Sequence, residues 1–195
     1  NWAVINGEKE TGVTTFKLKH EIDTGDILLQ ESFPIGENET AGEVHDRMKE
    51  IGAQVLVRTV KGLVDGTLKE RPQGNLNVSD RDVKTHLKHA PKIFTETCKI
   101  DFTKTVDEVH NLIRGLSPFP GAFTFLNDKM LKIYRSEKEA SPNPAMGGSL
   151  GRFETDSKTF LKFACTNGYV HVKELQLEGK KKMSTEEFLR GYRFS

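Results

Sequence analysis

Thr40-Ala41-Gly42-Glu43 is a capping box: a Thr whose hydroxyl can accept the amide three residues on, and a Glu that can reach back to the Thr amide. Behind it Val44, Met48, Ile51, Val55, Leu56, Val60 and Leu63 recur at steps of mostly three and four. That spacing puts them on one stripe of a helix of about six turns. Asp65-Gly66 closes it with a glycine suited to the C′ position. A helix striped along its whole length needs a surface to lie on. The segments before it can supply one. Residues 11–18 alternate and are β-branched, which predicts a strand. Asp23-Thr24-Gly25-Asp26 reads as a tight turn in which Gly25 can take positive φ. Residues 27–33 read as a second strand, stopped by Pro34. This is an α/β pattern.

The period then changes. Residues 67–92 have no clear period, hold Pro72, Gly74 and Pro91, and gather Lys84, His86, Lys88, His89 and Lys92 near their end, as a linker would. Thr105-Val106-Asp107-Glu108 is a second capping box, followed by the apolar face Val109, Leu112, Ile113 and Leu116. Gly115 and Ser117-Pro118-Phe119-Pro120-Gly121 break that helix. Beyond it strands are expected at 122–126 and 130–135 around Asn127-Asp128-Lys129, and at 150–154, 159–165 and 169–177. A loop is expected over 136–149, and Asn167-Gly168 marks a hairpin turn. Ser184-Thr185-Glu186-Glu187 caps a last short helix. Five short strands and a helix suit a small closed barrel, of which an OB-like barrel is one form. The expected organisation is an α/β module at 1–66, a linker at 67–92 and a mainly β module at 93–195.

Charge follows the same division. Residues 1–80 carry 9 Lys+Arg against 14 Asp+Glu, net −5, and residues 81–195 carry 20 against 14, net +6. The basic half can face a polyanion, although scattered lysines on a solvated surface give the same total. Cys98 and Cys165 match no metal spacing and no disulfide framework, so two reduced thiols of a cytoplasmic protein are expected. No run approaches the roughly 18 apolar residues that read as a membrane span, and no stretch reads as a secretory signal. The opening Asn1-Trp2-Ala3-Val4-Ile5-Asn6-Gly7 has an apolar stretch already under way, which reads as entry into the middle of a domain.

Asp23 is the leading candidate for chemistry. It lies at a strand end, in a turn, with His20, Glu21 and Asp26 close by. A carboxylate there can orient a base, move a proton or hold a water. It can equally do no more than stabilise its own turn. His20 and His45 lack any spacing that fixes a metal. The serine of the 117–121 turn sits in no nucleophile elbow. Lys180-Lys181-Lys182, taken with Arg114, Lys129, Lys132, Arg135 and Lys173, can form a polyphosphate-binding surface. These residues alone do not name a reaction.

Longer motifs add a resemblance. Residues 1–8, Glu10-Thr11-Gly12-Val13-Thr14 and Ile22-Asp23-Thr24-Gly25-Asp26-Ile27-Leu28 are spaced as in folate-dependent formyltransferases. Ala90-Pro91-Lys92-Ile93, Ile113 to Ala122 (Ile-Arg-Gly-Leu-Ser-Pro-Phe-Pro-Gly-Ala) and Gly179-Lys180-Lys181-Lys182-Met183-Ser184 resemble the C-terminal part of the methionyl-tRNA formyltransferases. The resemblance implies the end of a Rossmann-like formyltransferase domain followed by an OB-like barrel. It implies formyl transfer from 10-formyltetrahydrofolate, without a metal, to the amino group of methionyl initiator tRNA, by a protein that is a cytoplasmic monomer when full length. The family's catalytic set is an Asn, a His and an Asp. The Asp falls on Asp23, while the Asn and His have no matching positions here, so this chain alone is expected to be inactive. The loop His20, Glu21, Ile22, Asp23, Thr24 and Gly25 is expected near the folate, and Arg114, Lys180, Lys181 and Lys182 on the tRNA. Two other readings stand beside it: a sugar-nucleotide N-formyltransferase, and a tRNA-binding module without catalysis.

Overall fold

A computed structural model describes residues 1–20, 25–73, 88–141 and 150–194. The chain divides into two compact units. One gathers Asn1–Glu8, Gly36–Glu43 and Lys92–Ser195, and the other gathers Lys9–Ile35 and Val44–Pro91.

The smaller unit is an antiparallel strand pair under a long helix. Strands β1 (Glu10–Phe16) and β2 (Ile27–Pro34) pair from Glu10 opposite Pro34 to Phe16 opposite Ile27. Pro34 therefore ends β2 from inside the strand. Helix α2 (Ala41–Val64) begins at the expected cap: Thr40 accepts from the Glu43 amide at 3.3 Å, and Glu43 accepts from the Thr40 amide at 2.8 Å. It ends at Gly66, whose φ is +66°. The helix meets the strand pair through small residues. A methyl group on Gly52 would touch Val13, and the Thr59 hydroxyl lies 2.8 Å from that of Thr15. The apolar stripe is only partly used. Val44 and Val55 are buried, but Leu56, Val60 and Leu63 are exposed, with Val57 and Val64 beside them. The start of the expected linker is tied down, since Arg71 exchanges both backbone hydrogen bonds with Ile27.

The larger unit is built on a curled antiparallel sheet of six strands. Strands β3 (Ala122–Leu126), β4 (Lys129–Ala140), β5 (Phe153–Thr155), β6 (Leu161–Cys165) and β7 (Gly168–Leu177) run in the order β3-β4-β7-β6-β5, and β8 (Met183–Ser184) pairs with β7. The β3–β4 hairpin lies where it was expected but is one residue tighter: Lys129 opens β4, leaving Asn127 and Asp128, both at positive φ, as a type I′ turn requires. Two expectations move. The loop placed at 136–149 begins later, because β4 runs on to Ala140 opposite Gly168. The second hairpin turns at Thr166-Asn167, and Gly168 opens β7. Gly168 is small because a Cβ there would lie 2.2 Å from the Glu139 carbonyl.

Short helices α1 (Trp2–Ile5) and α3 (Thr95–Cys98) and helix α4 (Val106–Gly115) complete this unit with α5 (Thr185–Gly191). Both expected capping boxes form, at Thr105/Glu108 and Ser184/Glu187. The Asn167 side chain also accepts from the Val106 amide at 2.8 Å, tying the hairpin to the start of α4. Val109, Ile113 and Leu116 join Leu131, Ile133, Leu161, Phe163 and Leu175 in one buried core. Cys98 and Cys165 are buried, free thiols within it, and burial pushes the Cys165 thiol up to about 12.

Candidate functional site

The segment with the leading catalytic candidate is only framed by the described residues. Glu21, Ile22, Asp23 and Thr24 lie outside them. Its stem is well defined. The Lys17 amide donates to the Asp26 carbonyl at 2.9 Å, and the Lys19 ammonium pairs with the Asp26 carboxylate at 2.8 Å. His20 is exposed. Gly25 stands where the two ends of the loop meet. Its constraint is space, because a Cβ would lie 1.6 Å from the Lys17 carbonyl oxygen. The Gly25 carbonyl accepts from the Gln73 side-chain amide at 2.6 Å. The ends of the loop are thus pinched shut, and no side chain larger than hydrogen fits where they meet.

Within the larger unit, a polar cavity of about 350 Å³ is lined by Thr40, His110, Arg114, Arg135, Ser136 and Lys173 among others. Arg114 is 6% exposed, far from the surface contact expected of it. Its Nε donates to the Asn111 side chain at 2.8 Å, and Nη1 donates to the carbonyls of Gly36 and Glu39 at 3.2 and 3.0 Å. Burial lowers its pKa, against the pull of Glu37 and Glu39. The guanidinium therefore holds the 36–39 segment in place. His110 is buried beside it, with Nδ1 2.9 Å from the Ser136 hydroxyl. Burial pushes that imidazole towards its neutral form. The remaining cations of the cavity are neutralised by carboxylates: Arg135 pairs with Glu43 and Glu174, and Lys173 with Glu137. Burial alone would raise the Glu43 pKa, but hydrogen bonds from Thr40 and Arg135 bring it down to about 2.

Lys180, Lys181 and Lys182 are all exposed, in and after a turn at Gly179 with φ +75°. Lys182 pairs with Glu174 at 2.6 Å and lies 5.0 Å from the centre of the Tyr134 ring. Among the expected basic residues, this run faces solvent and Arg114 does not. A second feature was missed in the sequence, where the 117–121 segment reads as a rigid turn only. Phe94, Phe119 and Phe125 are exposed on this unit. Three aromatics within about thirty residues of a basic segment were the available signal. Among the described residues no cluster of His, Cys, Asp and Glu can hold a metal, and no helix is long and apolar enough to cross a membrane.

Comparison with known proteins decides the family. The profile described as "Formyl transferase, C-terminal domain" matches residues 92–193, and the one described as "Formyl transferase" matches residues 1–60. The chain belongs to the formyl transferase family. Relatives of this family that it resembles include a methionyl-tRNA formyltransferase of Phocaeicola vulgatus, 44% identical over all of this chain and 60% of the relative. Another, from Azobacteroides pseudotrichonymphae, is 44% identical over 98% of this chain and 59% of the relative. The chain thus spans about 60% of the length of the curated relatives it matches. Among solved structures, HypX from Aquifex aeolicus shares the fold at TM-score 0.67 and 20% identity, over 100% of this chain and 33% of its own. WlaRD, a sugar 3N-formyl transferase crystallised in the presence of dTDP and 5-N-formyl-THF, aligns at TM-score 0.61 and 25% identity, over 92% of this chain and 59% of its own.

Proposed function

We propose that the chain is part of an enzyme that moves a formyl group from 10-formyltetrahydrofolate to the amino group of methionyl initiator tRNA. The observation that carries this reading is identity of 44% along the whole chain to proteins named for that activity, against 25% to a sugar formyltransferase. In this reading residues 1–66 end the folate-dependent domain, residues 67–92 link, and residues 93–195 form an OB-like barrel that holds the tRNA. What supports a barrel is the single antiparallel sheet of six strands, whose observed pairings run as an open order from β3 to β5.

Formyl transfer is acyl transfer. The amine attacks the formyl carbon, negative charge develops on its oxygen, and the amine must lose a proton. Donors aimed at that oxygen stabilise the charge. Asp23 would orient the family's His and take up or relay the proton. The loop from His20 to Gly25 would lie along the folate, and the pinch at Gly25 would keep it closed at its base. Lys180, Lys181 and Lys182 would contact phosphates, which gives affinity without sequence information. Arg114 would serve that surface from below, by fixing the 36–39 segment.

The test is a formylation assay on this chain joined to the upstream 40% or so of the Phocaeicola vulgatus relative. Formyl-methionyl-tRNA should form, and Asp23→Asn should lower the rate by about 10²–10⁴. The chain alone should form none. Formylation of an amino-sugar nucleotide in place of methionyl-tRNA would give the reading to the sugar enzymes.

A further inference from the structure

An aromatic face of the larger unit has no role in the proposed function. Phe119 is 82% exposed and Phe94 57% exposed. Both border a cavity of about 460 Å³ whose other walls include Ile93, Pro120, Phe123 and Met130. That volume is within the roughly 300–1,000 Å³ of small-molecule sites. The β3–β4 hairpin explains its floor. Phe123 pairs with Lys132 and Phe125 with Met130, so strand alternation puts the four on one side of the hairpin, where Phe123 is itself buried and Phe125 is exposed. Phe123 and Phe125 meet edge to face at 5.9 Å.

Cations accompany the rings. Lys92 Nζ lies 5.4 Å from the centre of the Phe94 ring, and Lys132 Nζ donates to the Pro120 carbonyl at 3.2 Å. None of the described residues lining the cavity is acidic. Two positions beyond Lys132 stands Tyr134, with Lys182 over its ring. The face therefore runs from an open aromatic pocket towards the exposed lysines at 180–182. Large rings held in water are costly unless something covers them. A purely apolar partner would give Lys92 and Lys132 no counter-charge, and an acidic segment without apolar or flat groups would leave the rings uncovered. An unpaired nucleotide matches both, with a flat base for the rings and a phosphate for the lysines.

We propose that this face stacks an unpaired base of a single-stranded nucleic-acid segment, between Phe94 and Phe119, with Lys92 and Lys132 on its flanking phosphates. The inference rests on the reading of this unit as the one that holds tRNA, and it names where an unpaired nucleotide sits. It is tested with a short single-stranded RNA carrying 2-aminopurine, whose emission falls on stacking. Titration with the chain should give saturable quenching. Phe119→Ala and Phe94→Ala should each weaken it by about tenfold, Phe119→Trp should retain it, and Lys132→Ala should mainly reduce its salt dependence. Both rings are exposed, so the variants should keep the circular dichroism of the parent.

No quenching at low salt, or quenching unchanged in Phe119→Ala, overturns the inference. So does a polypeptide ligand whose binding needs Phe119 when RNA binding does not. Whole-tRNA binding that survives the Phe94/Phe119 double substitution but falls with Lys180→Ala and Lys181→Ala removes the stacking site and leaves the proposed function standing. Quenching that persists while the joined enzyme formylates only amino-sugar nucleotides does the reverse.

Discussion

Helices α2 and α4 carry the same written pattern and meet opposite fates. Each opens with a capping box and repeats apolar residues at three- and four-residue steps. In α4 the stripe is consumed, with Val109, Ile113 and Leu116 in the core of the larger unit. In α2 the stripe is buried at Val44 and Val55, then continues in water through Leu56, Val60 and Leu63. A stripe states which face can be covered. Whether it is covered depends on the partner, and the two-stranded β1–β2 pair is too narrow to cover nearly seven turns.

The comparison can be broken most sharply by truncating one residue on each stripe. Ile113→Ala should cost about 2–5 kcal/mol in urea unfolding followed on the larger unit. Val60→Ala, 53% exposed, should cost no more than about 0.5 kcal/mol. Similar losses would show that the α2 stripe is covered in solution. Next comes Arg114→Ala, which removes charged donors from the Gly36 and Glu39 carbonyls and should cost about 1.5–3 kcal/mol. Proteolysis within 36–39 should quicken in the same variant. Lys181→Ala, on the exposed run, should leave stability unchanged. The caps sharpen the comparison at a lower level, since Thr105→Ala and Thr40→Ala should each cost about 1 kcal/mol whatever the fate of the stripe behind them.

Below the caps in size comes a pH effect at Glu43. Its folded pKa is depressed to about 2. A depressed carboxylate adds stability that is present above its ordinary pKa, near 4.5, and is lost as pH falls through 2. Glu43 and Arg135 are both more than a third exposed, so solvent screening keeps the contribution below about 1 kcal/mol. Glu43→Gln should flatten the acid limb of the stability profile between about pH 5 and 2. An unchanged slope would mean that the ion pair is open in solution.

Local chemistry was legible where it is self-contained. All three capping boxes formed as read, and the hairpin at Asn127-Asp128 formed one residue tighter than read, because each needs only residues a few positions apart. What depends on distant partners was not. Ser136 to Ala140 carries no alternation of apolar residues, and it is strand because β7 lies alongside, with ion pairs from Lys138 to Asp107 and from Lys162 to Glu139. His110 and Arg114 look like the polar side of α4, yet both are buried, since the 36–39 segment offers carbonyls that the sequence around them does not announce. Gly25 was read as a turn glycine, and the sequence could not show the second demand on it, the carbonyl of Lys17 eight residues earlier. Asp23 itself lies outside the described residues, so its candidacy rests on the resemblance and the stem of its loop.

One close contact bears on the order of events during synthesis. Gly115 has no side chain because Ile5 of α1 occupies that space, and the Asn1 side chain donates to the Gly115 carbonyl at 2.7 Å. Ile5 emerges from the ribosome more than a hundred residues before Gly115, so this contact closes only once both have been made. At about 5–20 residues per second that is a wait of roughly 5–20 s. For that interval the contact is open, and two segments far apart in the chain must find each other before the C-terminal end of α4 is sealed.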